Sequence, residues 1–240
     1  MTVETILVAG ASRGIGLAVA EHLQARCDGP LGSVCDHRLL TVSRTPAPVG
    51  DWIQADLSEL AGITTVAKAI GDAPLDALLY MGGTWETHAF TSQYRFEDCS
   101  DDDITRVIAV NLVAPIRLVK ALLPALRRSP NPKIIVMGAL SGRDNFSGRE
   151  VANSASKFGL RGVVHALREE LRIQQIGVTV INPGNVGTPE VLADLAADNL
   201  TGGAAIPLGD LLAIIDCVLS LSRATCIKEI DVPAMLGEGA

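Results

Sequence analysis

The chain has 240 residues, of which 48% are hydrophobic, 20% charged and only 3% aromatic, so the core of an α/β domain must come from Ala, Val, Ile and Leu. With 20 basic residues against 27 acidic ones, the net charge of −7 argues against a nucleic-acid surface. Cys27, Cys35, Cys99, Cys217 and Cys226 are odd in number and lack CxxC spacing. They read as reduced thiols rather than a disulfide framework or metal site. No signal-like start and no apolar run of ~18 residues is visible, so a soluble, cytoplasmic protein is expected.

From the amino terminus, Thr5–Ala9 is a short apolar run that suits a buried strand, and Gly14–Arg26 has helical spacing. Cys27–His37, rich in Gly, Pro, Cys and Asp, reads as an elongated loop before the strand Arg38–Val42. Trp52–Ala55 is the next strand, and Asp56 or Ser58 is predicted to cap a helix reaching Ile70. Leu75–Met81 is strand-like and ends at Gly82-Gly83. The acids Asp101–Asp103 open a helical stretch to Arg128, where negative charge suits the helix dipole.

Lys133–Met137 reads as strand, Asn153–Gln175 as helix, and Val178–Ile181 as a strand halted by Pro183-Gly184. Between Asn185 and Pro207 the composition is mixed around an apolar helical piece, Glu190–Leu200, which suits a flap over a pocket or a plain surface excursion. Leu208–Ser222 and Lys228–Val232 close the chain as helix and strand. No repeat or linker interrupts the alternation, so residues 1–240 are read as a single Rossmann-fold dinucleotide-binding domain. The expected class is α/β, a doubly wound parallel sheet of about seven strands with helices on both faces.

Gly10-Ala11-Ser12-Arg13-Gly14-Ile15-Gly16 lies between the first strand and the first helix. Such a turn permits close backbone approach to a pyrophosphate, with N–H groups and a helix dipole aimed at negative charge. Its spacing is GxxxGxG. Together with Asn111, the Asn153–Lys157 stretch and Pro183-Gly184, in that order, the chain resembles the short-chain dehydrogenase/reductase family from about Thr5 to Val232.

The resemblance implies a nicotinamide cofactor seated by Gly10, Ser12, Arg13, Gly14, Ile15 and Gly16. An acid after the second strand would hold the 2′-hydroxyl of NAD, and an arginine the 2′-phosphate of NADP. Here the strand ends Thr41-Val42-Ser43-Arg44. Ser43, Arg44 and Arg13 therefore point to NADP(H) over NAD(H). Asp56 and Leu57 match the adenine-contacting position. Gly82 closes Tyr80-Met81-Gly82-Gly83, where the family usually has Asn-Asn-Ala-Gly. Pro183-Gly184-Asn185-Val186-Gly187-Thr188 resembles the run in which the backbone at Pro183, Gly184 and Val186 grips the nicotinamide and Thr188 reaches the phosphates.

In the family a serine and a tyrosine hold the substrate oxygen and the tyrosine moves the proton. A lysine holds the nicotinamide ribose and lowers the tyrosine pKa, and an asparagine fixes a water beside the lysine. Asn111 matches the asparagine and Lys157 the lysine. The tyrosine position, one helical turn before Lys157, carries Asn153. Gly138-Ala139-Leu140-Ser141-Gly142 places Ala139 at the serine position, and Ser141 would serve only in a rebuilt turn.

The catalytic set is thus read as Asn111, Asn153 and Lys157, with no metal. An asparagine amide donates a hydrogen bond but no proton, so water, the substrate, Tyr80, Tyr94 or His88 would have to substitute. His88 reads better as a surface residue. Three functions stay open: an atypical NADP(H)-dependent oxidoreductase acting on a small carbonyl/alcohol or activated double bond, a non-catalytic NADP(H)-binding homologue, and a non-redox lyase or isomerase. The family's habit implies a homodimer or homotetramer through helices at Leu112–Leu126 and Phe158–Leu171, or a hetero-oligomer with an active homologue. Neither nucleic acid nor membrane is an expected partner.

Overall fold

The computed structural model describes residues 4–27, 37–144, 148–197 and 205–236. Seven strands form one sheet: β1 (Glu4–Ala9), β2 (His37–Ser43), β3 (Asp51–Gln54), β4 (Ala77–Tyr80), β5 (Lys133–Met137), β6 (Gly177–Pro183) and β7 (Glu229–Val232). All are parallel, in the order β3-β2-β1-β4-β5-β6-β7. The order reverses between β1 and β4, so their carboxyl ends open a crevice where the connecting helices go to opposite faces.

Alternation along each strand feeds two cores. Leu7, Leu40, Leu78, Ile134 and Val178 face α2 (Leu60–Ile70), α4 (Ala114–Leu126) and α5 (Val151–Leu171). Ile6, Leu39, Leu79, Ile135 and Ile181 face α1 (Gly14–Cys27) and α7 (Leu208–Ser220). Both faces are buried, which is why the strands read as continuous apolar runs.

The element types expected from the sequence are present, and several boundaries differ. The helix after β3 starts at Leu60, and its N-cap Glu59 makes no side-chain cap. Asp56 instead accepts from the Ser58 amide (3.0 Å) and hydroxyl (2.6 Å), folding the approach to the helix rather than capping it. The stretch from Asp101 ends at Leu126 and is not one regular helix. α3 (Asp101–Ile108), capped by Ser100, passes through a π-helical turn (Ala109–Val113) into α4. This 26-residue stretch is long and apolar enough to cross a membrane by length and composition, against the expectation above. Leu118, Leu122 and Leu126 on it are buried in the core under the sheet, as in a core helix.

α5 starts at Val151 rather than Asn153 and ends at Leu171 rather than Gln175. The helix expected over Glu190–Leu200 is α6 (Pro189–Ala197), with residues 198–200 outside the described set. The loop expected over Cys27–His37 falls largely on residues 28–36, also outside it, and His37 already belongs to β2. Cys99, Cys217 and Cys226 are free thiols.

Candidate active site

At the carboxyl ends of β1 and β4 the glycines are required by contact. Gly10 has φ +88°, and a Cβ there would stand 2.5 Å from the Gly82 Cα. A Cβ on Gly16 would stand 2.1 Å from the Gly10 carbonyl oxygen. No side chain fits either position. Gly14, at φ +57°, instead opens α1 with free space where its Cβ would be. That space lies beside the first turn of a 14-residue helix, as a bound pyrophosphate requires. Ser12 is half-buried in this turn, and Ile15, in the first turn of α1, packs partly buried against the core.

Arg13 and Arg44 are exposed, and neither guanidinium has a partner among the described residues. Ser43 is buried: its hydroxyl donates to the Thr45 carbonyl (2.6 Å) and accepts from Trp52 Nε1 (3.1 Å). It shapes the turn that presents Arg44. Leu57 packs partly buried against the core beside α2.

The π turn carries Asn111, which is 1% exposed. Widening a helix by one residue disturbs the normal i→i+4 pairing. Tyr80 donates from its hydroxyl to the Val110 carbonyl at 2.6 Å, binding that turn to β4. Asn111 Oδ1 accepts from the Thr84 amide (2.8 Å), while its Nδ2 donates to the Thr84 carbonyl (2.7 Å) and Ser156 Oγ (3.1 Å). A longer contact joins Nδ2 to Asn153 Oδ1 (3.4 Å). These contacts fix the orientation of both amides. Asn153 Nδ2 is left as a donor with no partner among the described residues.

One turn along α5, Lys157 Nζ donates to the carbonyls of Met137 (3.2 Å) and Gly138 (3.4 Å). Burial of the ammonium lowers its pKa to about 8. A Cβ on Gly83 would lie 3.8 Å from Asn111 Oδ1 and 3.9 Å from Lys157 Nζ. Gly83 thus lies in contact range of both groups. The structure therefore brings Asn111, Asn153 and Lys157 together beside the carboxyl end of β4.

The replacement proton donors considered from sequence fare unequally. Tyr80 is buried with its hydroxyl committed to Val110, and its pKa is pushed up by burial and then by Asp56. Tyr94 is buried, accepts from the Val151 amide (3.2 Å), and is raised chiefly by burial. His88 is exposed on the segment after β4.

Sequence reasoning missed how that segment, Thr84–Tyr94, is fastened to the site. Glu86 is 2% exposed, and its Oε1 accepts from the amides of Ala152 (2.7 Å) and Asn153 (3.2 Å). With Tyr94 it serves the first three N–H groups of α5, which has no cap of its own. Glu150 Oε1 accepts from the Phe90 amide (2.8 Å), and Thr87 donates its amide to Asp103 (2.6 Å). His88 and Phe90 sit at φ +61° and +62°, a conformation that side chains tolerate only when the surroundings impose it. No local spacing signals such long-range capping.

After β5, the turn Gly138–Gly142 is wedged at both ends. A Cβ on Gly138 would lie 2.1 Å from Asn182 Oδ1, and one on Gly142 2.9 Å from the Lys157 carbonyl carbon. Ala139 is extended at the head of this turn, and Ser141 has no partner among the described residues. Behind it, Asn182 donates to Glu229 and Asp231 at 2.8 Å each, and Arg161 pairs with Glu229 at 2.6 Å. Burial works against the Glu229 carboxylate, but Arg161 and Asn182 prevail and hold its pKa at about 2.

After β6, Pro183 ends the strand, and the Gly184 amide donates to the Val232 carbonyl (2.9 Å). Val186 is buried and bridges Ile206. Thr188 is 5% exposed, and its Oγ1 accepts from the Val191 amide (3.4 Å), which caps α6. Among the described residues no three His, Cys, Asp or Glu side chains gather as a metal site.

The sequence model for the short chain dehydrogenase family matches residues 4–198. The chain is 29% identical over 195 residues to the short-chain dehydrogenase/reductase olcF of Penicillium canescens, covering 77% of this chain and 70% of that one. It is 29% identical over 209 residues to the 3-oxoacyl-(acyl-carrier-protein) reductase FabG of Escherichia coli K12, covering 85% and 82% respectively. A metagenomic short-chain oxidoreductase solved in complex with NADP superposes with TM-score 0.73 at 26% identity, over 98% of both chains. Actinorhodin polyketide ketoreductase solved with NADPH shares the fold at TM-score 0.80 and 20% identity, over 98% of this chain and 97% of that one.

Proposed function

The chain belongs to the short-chain dehydrogenase family, and from that premise we propose an NADP(H)-dependent oxidoreductase acting on a small carbonyl/alcohol pair by an altered proton route. The observation that carries this reading is the Asn153 Nδ2, without a partner among the described residues, held one helical turn from Lys157 and against Asn111. The glycine contacts, the open space at Gly14 and the exposed Arg13 and Arg44, whose guanidinium groups have no partner among the described residues, fit NADP(H). When bound, the reduced nicotinamide supplies a hydride.

Arg13 and Arg44 hold the 2′-phosphate, the turn from Gly10 to Gly16 holds the pyrophosphate, and Lys157 holds the ribose. Asn153 Nδ2 donates to the carbonyl oxygen and polarises it. The proton comes from water or from the substrate, since Asn153 has none to give. The test is NADPH consumption across a broad panel of carbonyl compounds. Turnover above background is expected, and none across the panel sinks the reading.

A second reading is a non-catalytic NADP(H)-binding homologue. It is favoured by Tyr80, whose buried hydroxyl donates its proton in a hydrogen bond to the Val110 carbonyl. Stoichiometric NADPH binding without turnover, and turnover only after mixing with an active homologue, would select it. Self-association through α4 and α5 is supported by the exposed Ile116 and Phe158, and light scattering reads it out.

A further inference from the structure

We propose that Glu86 is a specificity-determining residue whose second carboxylate oxygen accepts a hydrogen bond from the substrate, so that the preferred substrates carry an O–H or N–H next to the carbonyl. The inference rests on the carbonyl-reducing reading above and names the substrate class of that same site.

The two oxygens of Glu86 have unequal surroundings. Oε1 accepts from the amides of Ala152 and Asn153, whereas Oε2 is, among the described residues, the buried side-chain polar atom that has no hydrogen-bond partner. A buried acceptor without a donor is costly, and such atoms are rare in folded proteins. Capping α5 explains one oxygen and leaves the other without a use.

Position supplies the use. The Asn153 amide N–H is held by Oε1 at 3.2 Å, and the Asn153 side chain ends in the donor Nδ2, itself without a partner among the described residues. An unused donor and an unused acceptor therefore belong to two residues joined by a hydrogen bond where the segment after β4 meets the start of α5. Trp85 and Thr87, which flank Glu86, are exposed, so the carboxylate lies one layer below the surface of this segment. Thr84, next in the chain, is gripped by Asn111. A ligand with a carbonyl and an adjacent hydroxyl or N–H matches the pair: its carbonyl oxygen accepts from Nδ2 and its donor turns to Oε2. A plain ketone leaves Oε2 as it is.

The experiment compares α-hydroxyacetophenone with acetophenone in the wild type and in Glu86→Gln. The glutamine amide oxygen can still cap α5, while its NH2 group puts a donor where the acceptor was. Wild type should favour the hydroxy ketone in kcat/KM by roughly ten- to a hundredfold, the range for hydrogen bonds to charged groups. That ratio should fall at least about tenfold in Glu86→Gln. NADPH fluorescence and thermal melting of the variant report whether it is folded and loaded. An unchanged ratio in a folded, NADPH-binding variant overturns the proposal.

Should the wild type reduce neither ketone, the carbonyl-reducing reading fails separately. The site is then read by the thermal shift and the Ala152 and Asn153 amide resonances of the NADP-loaded protein. A response to the hydroxy ketone and not to acetophenone, lost in Glu86→Gln, supports the role of Oε2. Equal responses, or none, overturn it.

Discussion

At the end of β1 the cofactor turn is fixed by backbone touching backbone: Gly10 against Gly82, and Gly16 against Gly10. At the start of α5 the reaction centre is fixed by side chains: Asn111 on Thr84 and Ser156, and Glu86 on the amides of Ala152 and Asn153. The first kind of constraint tolerates one residue type. The second tolerates any residue whose polar atoms find partners, so chemistry can change there while the fold and the cofactor's seat remain. Asn153 stands in the tolerant region and the glycines in the intolerant one, with Ala139 between the wedged Gly138 and Gly142.

The sharpest way to test that separation is to restore the chemistry without touching the seat. Asn153→Tyr with Ala139→Ser should create or raise simple carbonyl reductase activity by about 10²–10⁴-fold, the usual contribution of a positioned general acid. NADPH oxidation with acetophenone checks it, with NADPH affinity measured alongside. Unchanged inactivity with NADPH still bound would mean that Ala139 and Asn153 do not occupy the two hydroxyl positions.

Lys157, one turn further along α5, yields the next largest effect. Its pKa in the folded protein is about 8 against an ordinary 10.5. Between those values the unfolded chain holds more protons, so stability rises with pH from about 8 to about 10.5. Below about pH 8 the full penalty of burying the ammonium is present. It amounts to at most about 3 kcal/mol, since part of the side chain is solvent-exposed. Urea midpoints followed from about pH 7 to about pH 10 should climb for the wild type and stay flatter for Lys157→Met. Parallel profiles would show that the ammonium is not desolvated as the two carbonyl contacts imply.

How much of this was legible follows from the same contrast. The glycine turn, the strands and Lys157 could be read because each leaves a local pattern of spacing or alternation. The π turn at Asn111 could not, because a one-residue widening hardly disturbs helical periodicity over Asp101–Leu126. The cap of α5 was equally hidden, since Glu86 lies 66 residues from Ala152. The expected cap on α2 failed for a related reason. Asp56 is a good capping residue by type, yet Ser58 takes its oxygen in a turn before the helix begins. In each case a contact distant in sequence, or a competing local one, decided the outcome.

A milder perturbation probes the intolerant region itself. Gly16→Ala places a carbon 2.1 Å from the Gly10 oxygen, so the backbone must move. The expected cost is about 1–3 kcal/mol of stability, as for other overpacked sites. NADPH affinity should fall with it, whereas Gly209→Ala, which meets nothing within 4 Å on α7, should leave that affinity intact. Calorimetry and NADPH fluorescence read both. A Gly16→Ala protein as stable and as tightly binding as wild type would remove the steric basis of the comparison.

The smallest effect should come from Arg44, where the cofactor's seat depends on a side chain rather than on backbone contact. Its guanidinium is exposed and has no partner among the described residues, as is true of Arg13. A phosphate bound there stays close to water, so the gain is nearer that of a surface pair than of a buried one. Arg44→Ala should therefore weaken NADPH binding by roughly three- to tenfold and leave NADH almost unchanged, because NADH lacks the 2′-phosphate. Added salt should erode the wild-type preference for NADPH toward that of the variant, since exposed charges are screened. If Arg44→Ala lowers NADPH and NADH binding equally, the guanidinium supports the turn around Ser43 and Thr45 instead. The 2′-phosphate would then fall to Arg13, and Arg13→Ala should show the selective loss.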